Sequence, residues 1–247
     1  MKLIVKNAMI LAAGYGKRML PITLNIPKPL VSIGNKPLIF YIIEKLKKEK
    51  INKTIVNTHY LSEKFYSILK KKYPKIKVLY EKQILETGGG VLNALNLKYI
   101  SNPQVPLLVI NGDIFWIEKN KESLFSKLFK YWDDNIMDIL IVLQEKKIIN
   151  GYKGKGDFDF LKRKGNFGKL VKRKKNDFVF CGVQIIHPRI FTRVKKKKFS
   201  LRELYLNSMS NGRLYGITDK NLWFHISTPE DLKNVNQWLI KNELYNL

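Results

Sequence analysis

Three short stretches of this 247-residue chain combine glycine with charged side chains in ways that suit phosphate chemistry. The first is Leu11-Ala12-Ala13-Gly14-Tyr15-Gly16-Lys17-Arg18-Met19. Gly14 and Gly16 let the backbone approach a ligand closely, with amides free to donate to phosphate oxygens. Lys17 and Arg18 add charge at the same place. The same Gly-x-Gly spacing also makes an ordinary tight turn. A dinucleotide fingerprint would need a third small residue where Met19 stands. A Walker A loop would need glycine in place of Leu11 and a hydroxyl in place of Arg18. Pro21, Pro27 and Pro29 oppose a helix directly after the loop. The stretch therefore reads as an extended basic loop that wraps a ligand. Lys28, held between two prolines, reads as a rigidly placed phosphate contact.

The second stretch is Asn111-Gly112-Asp113, after a strongly apolar run. A carboxylate at the carboxyl end of a strand suits a magnesium ion bridging phosphate oxygens. The tripeptide is equally a good turn. The third stretch, Glu86-Thr87-Gly88-Gly89-Gly90, opens a helix with three glycines, which is costly for helix formation. Close packing of a base or sugar on bare backbone would account for them, as would a flexible loop.

These stretches need elements to hold them. Apolar patterning predicts strands at 6–11, 54–57, 77–80, 105–110 and 138–143, and helices at 36–49, 61–71, 90–97 and 122–132. Strands alternating with helices over 1–143 imply a mainly parallel sheet covered on both faces. In such a sheet ligands bind at the carboxyl ends of the strands, where 11–19 and 111–113 fall. Residues 150–186 hold short alternating segments, including 158–161 and 178–186, read as antiparallel strands beside the first sheet. A helix follows at 200–210 and a last strand at 222–226. Thr228, Pro229 and Asp231 begin the final helix with a capping box. The expectation is one α/β domain, with a change of pattern after residue 143 dividing it into halves 1–143 and 144–247.

Composition narrows the setting. The chain is 45% hydrophobic, enough for a real core. A single cysteine, Cys181, excludes an intrachain disulfide and points to a reducing, cytoplasmic compartment. The N-terminal apolar run is broken by Lys6 and Asn7, then by Gly14, Lys17 and Arg18, so it does not read as an export signal. No stretch approaches the ~20 apolar residues that span a bilayer. The net charge is +26, from 46 basic and 20 acidic residues. Only seven of the basic residues are arginine, whereas dedicated phosphate readers recruit it. Lysine, asparagine and isoleucine are all plentiful, as an AT-rich genome would produce. Nucleic acid is not expected as a partner, and nothing fixes the oligomeric state.

Taken together, these residues resemble the sugar-1-phosphate nucleotidyltransferase family. The 11–19 loop, Pro27-Lys28-Pro29-Leu30, Gly34 with Lys36-Pro37-Leu38, and Asn111-Gly112-Asp113 match the family in order and spacing. The likeness reaches Ser227-Thr228-Pro229-Glu230 and so covers nearly the whole chain. Within the family, Val56-Asn57-Thr58-His59, Leu85-Glu86-Thr87-Gly88-Gly89, Gly156-Asp157-Phe158 and the short C-terminus resemble bacterial N-acetylmuramate-1-phosphate uridylyltransferases. Many members carry a Glu-Lys-Pro element where this chain has Lys172-Arg173-Lys174-Lys175. That departure counts against thymidylyl and guanylyl types. It leaves open which lysine holds the sugar phosphate.

The resemblance implies a Rossmann-like α/β fold with a mixed, mainly parallel sheet, with 1–143 as a nucleotide-binding half and 144–247 as a sugar-binding half. It implies magnesium-dependent attack of a sugar 1-phosphate on an NTP, releasing pyrophosphate, with UTP and N-acetylmuramic acid 1-phosphate as the expected pair. A mannose-1-phosphate guanylyltransferase using GTP is the alternative, and a non-catalytic nucleic-acid-binding relative a third reading. Carried over by residue, Leu11, Ala12, Ala13, Gly14, Gly16, Lys17, Arg18, Lys28 and Gly88 face the nucleotide. Glu86, Asn111, Gly156 and Asp157 face the sugar. Arg18, Lys28 and Asp113 are the catalytic set, and Asp113 binds the metal. His225 stands where the commoner family pattern has a second metal-binding aspartate. Either it ligates metal, or it meets phosphate through water or caps the strand. His59 is given no role.

Overall fold

The structure is a computed structural model, and it describes residues 5–100, 104–119, 121–149, 152 and 154–247. The N-terminal apolar run therefore lies partly outside the described residues, as do positions 150, 151 and 153 of the expected antiparallel region.

Chain order begins with β1 (Asn7–Leu11), the two-residue strands β2 (Ser32–Ile33) and β3 (Lys36–Pro37), and α1 (Leu38–Lys48). Then come β4 (Lys53–Thr58), α2 (Ser62–Lys72), β5 (Lys77–Tyr80), α3 (Glu86–Asn96), β6 (Leu107–Asn111), β7 (Phe115–Ile117) and α4 (Leu124–Tyr131). The second half holds β8 (Ile139–Glu145), β9 (Asp159–Lys164), β10 (Phe167–Val171), β11 (Phe178–Ile186), α5 (Leu201–Ser210), β12 (Leu214–Thr218), β13 (Leu222–Phe224) and α6 (Pro229–Lys241).

Nine strands form one sheet in the order β5-β4-β1-β6-β11-β8-β12-β10-β9. Only β10 and β11 run against the others, so the sheet is mixed and mostly parallel. Strands here must be apolar on both faces because helices cover both. Along β1, Ala8 and Ile10 join the core that includes Phe40, Phe65 and Phe125 of α1, α2 and α4. Met9 points the other way, into a core with Val91 of α3 and Leu204 of α5. That alternation follows from the two-residue period of a strand. A third core, with Met19, Leu38, Phe115, Ile226 and Leu239, packs α6 beneath the glycine loop.

Several expectations need correction. Strand β11 does not lie beside the first sheet. It is inserted between β6 and β8, antiparallel to both, so the two halves of the chain share one sheet. Burial explains the sequence signal: Cys181, Val183, Ile185 and Ile186 are all buried, as a central strand requires. The 222–226 strand is shorter, and it pairs with β7 in a separate two-stranded ribbon. Strand β12, with Leu214 and Ile217 in the core, was not anticipated. Helix α3 begins at Glu86, so its glycines lie inside the helix. The stretch after Gly16 is no extended loop but three consecutive 3-10 turns, at Lys17–Met19, Ile22–Leu24 and Lys28–Leu30.

Candidate active site

Two hollows of about 400 and 200 Å³ open side by side at the carboxyl ends of β1 and β6. Arg18, Lys28, Asn111, Asp113 and Ser227 line both and form their common wall.

The glycine loop makes one side of the larger hollow. Gly16 turns the chain with φ at +65°, the left-handed region that glycine tolerates best. Its carbonyl accepts from Thr23 Oγ1 at 3.0 Å, which closes the loop on the following turn. The Tyr60 hydroxyl hydrogen-bonds the Thr23 and Leu24 carbonyls, each at 2.9 Å, and ties that turn to the end of β4. Leu11, Ala12, Ala13, Gly14, Gly16, Lys17, Arg18 and Lys28 all line this hollow, so eight of the nine nucleotide-side residues come together. Lys17 and Arg18 are exposed, leaving their charges available to a ligand.

Asp113 and Lys28 meet across the common wall. Lys28 Nζ donates to Asp113 Oδ2 at 2.7 Å. Lys28 is buried, only 8% exposed, whereas the Asp113 side chain is 40% exposed. Gly112 lets this carboxylate approach β1, because its N–H donates to the Leu11 carbonyl at 2.8 Å. A Cβ there would stand 2.9 Å from that oxygen.

The smaller hollow has aromatic walls from Tyr152, Phe180, Trp223 and Phe224, with exposed His225 among them. His225 Nε2 lies 2.9 Å from Ser227 Oγ, and its ring meets Tyr152 edge-on at 6.4 Å. The β7–β13 ribbon sets this wall. Trp116 and Trp223 stack at 5.0 Å, and Trp223 Nε1 donates to buried Asp219 at 2.7 Å. Gly182, with φ at +78°, occupies an irregularity in β11 opposite Asn111. A Cβ at Gly182 would stand 3.0 Å from Asn111 Nδ2. An irregular strand beside a site re-aims its side chains.

Other expected residues fall elsewhere. Gly88 packs against protein rather than lining a hollow: a Cβ there would stand 2.3 Å from the Phe199 ring. The Gly88 and Gly89 amides both donate to the Phe199 carbonyl. Gly88 and Gly89 thus make room for the neighbouring 197–199 segment. Glu86 lines the larger hollow, not the smaller one, and adopts φ of +62°. Asn111 lines both. Gly156 and Asp157 stand behind the smaller hollow. The Gly156 N–H donates to the Tyr152 hydroxyl at 3.2 Å, and Asp157 accepts from the Phe180 N–H at 2.9 Å. Residues 172–175 are exposed and line neither hollow, so Arg18, Lys28 and His225 are the basic side chains at the smaller one among the described residues.

The sequence did not single out Asn57 and Glu81 as site residues. Asn57 lines the larger hollow, and its Oδ1 accepts from the Ala12 N–H at 3.0 Å. Buried Glu81 accepts from Asn57 Nδ2 at 2.7 Å. Burial holds the Glu81 carboxyl above the usual carboxylate range, against the opposing pull of its donors Asn57 and Leu85. The signal available was Gly90, a glycine inside a helix that faces this polar pair.

A Gly-x-Gly loop at the first strand, facing a carboxylate across a cationic wall, defines a phosphate-handling α/β enzyme. The model of the family described as "Nucleotidyl transferase" matches residues 7–152. This chain is 32% identical over 235 residues to an N-acetylmuramate alpha-1-phosphate uridylyltransferase of Caulobacter vibrioides, covering 91% of this chain and 93% of that one. It is 26% identical to a mannose-1-phosphate guanylyltransferase catalytic subunit beta of Danio rerio, covering 91% of this chain and 62% of that one. HddC of Yersinia pseudotuberculosis, solved with GMP-PN, superposes at a TM-score of 0.74 with 25% identity, over 95% of this chain and all of that one. A UDP-glucose pyrophosphorylase solved with UDP-glucose has a TM-score of 0.76 at 18% identity, covering 97% of this chain and all of that one, and supports the fold. The chain belongs to the nucleotidyl transferase family, and its enzyme class is that of the sugar-1-phosphate nucleotidyltransferases. Among the described residues, no helix is long and apolar enough to cross a membrane.

Proposed function

We propose that this enzyme joins the uridylyl group of UTP to N-acetylmuramic acid 1-phosphate, giving UDP-N-acetylmuramic acid and pyrophosphate. The observation that carries the reading is the pair of adjoining hollows with one wall of Arg18, Lys28 and Asp113 between them. The larger takes the nucleotide and the smaller takes the sugar. An oxygen of the sugar phosphate forms a bond to the α-phosphorus. The bond from that phosphorus to the α–β bridging oxygen breaks, and pyrophosphate leaves. Such chemistry needs alignment and charge neutralisation more than a strong base. Arg18 and Lys28 lie where both phosphates would converge.

The residues present fit magnesium. That ion takes one or two protein carboxylates and completes its shell with phosphates and water, and half-exposed Asp113 supplies one. Bound there, it would neutralise charge on the reacting phosphates. Imidazole is a poor magnesium ligand, and His225 already faces Ser227. Among the described residues no cluster of three or more His, Cys, Asp or Glu forms. The metal role is therefore given to Asp113.

The uridylyl and N-acetylmuramate assignment is supported by the 32% identity over nearly the full length of both chains. GTP with mannose 1-phosphate is the second reading, favoured by the guanylyltransferase relatives and the GMP-PN complex. Pyrophosphate release across four NTPs and a set of sugar 1-phosphates separates them. The UTP and N-acetylmuramic acid 1-phosphate pair should give the highest kcat/KM. Faster turnover of GTP with mannose 1-phosphate would establish the second reading instead.

A further inference from the structure

We infer that Glu81 is a positioning residue for nucleotide binding: it fixes the orientation of Asn57, and through it the first amide of the glycine loop. This rests on the reading that the larger hollow takes the NTP.

Glu81 is 2% exposed and does not line the hollow. Its carboxylate has two acceptor tasks. Oε1 accepts from Asn57 Nδ2 at 2.7 Å, and Oε2 accepts from the Leu85 N–H at 3.3 Å. Asn57 is also buried, at 2% exposure, and its amide is read from both sides. Its Oδ1 must face the Ala12 N–H, so its Nδ2 must face an acceptor. Glu81 is that acceptor. The strand ends β1, β4 and β5 and the start of α3 are thereby joined by one chain of hydrogen bonds ending on the loop.

The packing is built around this chain. A Cβ on Gly90 would stand 2.8 Å from Asn57 Nδ2 and 2.9 Å from Glu81 Oε1. Glycine is therefore required inside α3, where it otherwise weakens a helix. The Glu81 carbonyl in turn pairs with His59 Nδ1 at 2.7 Å, which gives His59 a place in the support of the site.

Leucine at 81 keeps most of the bulk and removes both acceptors. Nothing then fixes which way the Asn57 amide faces, and if it turns over, its Nδ2 faces the Ala12 N–H and the loop amide is released. Glutamine is the milder change: with its oxygen toward Asn57 and its nitrogen toward the Leu85 N–H, it keeps the Asn57 hydrogen bond.

The test is a double-mutant cycle on Glu81→Leu and Asn57→Ala. It is read by calorimetric affinity for non-hydrolysable UTP and GTP analogues, steady-state KM and kcat, and Tm. Glu81→Leu should weaken analogue binding and raise the NTP KM about tenfold, the order expected for a lost charge-assisted hydrogen bond. The factor should be the same for both bases, with the sugar-phosphate KM changed less than about twofold. The double variant should be no weaker than Asn57→Ala alone. If Glu81→Leu does not fold, Gly90→Ala, which pushes on the same pair, should reproduce the NTP defect. A lower Tm with unchanged kinetics would overturn the inference. So would additive losses in the cycle, or a defect confined to one base, which would make Glu81 a base contact. Failure of the wild-type protein to bind either analogue would sink the nucleotide reading of the hollow and this inference with it.

Discussion

Arg18 and Lys28 carry the same charge but sit differently. Arg18 is exposed on a 3-10 turn, so Arg18→Ala should lower turnover by roughly a hundredfold, the usual cost of removing a preorganised charge contact. Stability should change by less than about 0.5 kcal/mol, as for an ordinary surface position. Lys28, read from the sequence as a rigidly placed phosphate contact, would be expected to behave the same way. Its burial and its ion pair with Asp113 change that expectation. Lys28→Ala should lose activity and also about 1–2 kcal/mol of stability, through lost packing of its stem. Denaturant midpoints beside kcat check both variants. Asp113→Asn should abolish turnover while leaving the fold intact, whereas His225→Ala should only reduce it. Equal loss in the two would return His225 to the metal site. Local motifs made Arg18 and Asp113 legible in the sequence. Asn57 and Glu81 were not, because their pairing joins strand ends 24 residues apart.

At the scale of elements, local signals were read well and close contacts were not. The start of α6 is a capping box as its sequence indicates: Thr228 Oγ1 accepts from the Asp231 N–H at 3.1 Å, and Asp231 accepts from Ser227 and Thr228 N–H groups. Burial pushes the Asp231 carboxyl up, but those donors outweigh it and leave it below the usual range. A carboxyl lowered by folding contributes stability above its unfolded pKa of about 3.9 and loses it as pH falls through the folded value. The stability gap between wild type and Asp231→Asn should therefore be full near pH 6 and shrink below about pH 4. A gap independent of pH would contradict the assignment. Helix α3 teaches the opposite lesson. Its glycines are explained by Phe199, Lys197 and the Asn57–Glu81 pair, all brought in by tertiary structure. Gly88→Ala should gain up to about 1 kcal/mol in helix propensity. The clash with Phe199 should outweigh that, for a net loss of about 1–2 kcal/mol in chemical denaturation.

At the scale of the molecule, the alternation of strands and helices made the parallel half of the sheet legible. It could not reveal that β11 threads between β6 and β8, because strand order depends on pairing between distant segments. That insertion matters for function. It places Phe180, Cys181 and Gly182 beside Asn111 and so builds the smaller hollow against the larger one. The central claim is that these two hollows bring an NTP and a sugar 1-phosphate together for direct transfer at their common wall. The measurement that tests it most directly uses N-acetylmuramic acid 1-phosphate carrying oxygen-18 at all four phosphate oxygens, incubated with UTP, magnesium and enzyme. Direct attack on the α-phosphorus predicts a UDP-sugar that retains all four labels, with unlabelled pyrophosphate in equal amount. Label in the pyrophosphate, or pyrophosphate without a labelled UDP-sugar, would contradict the account.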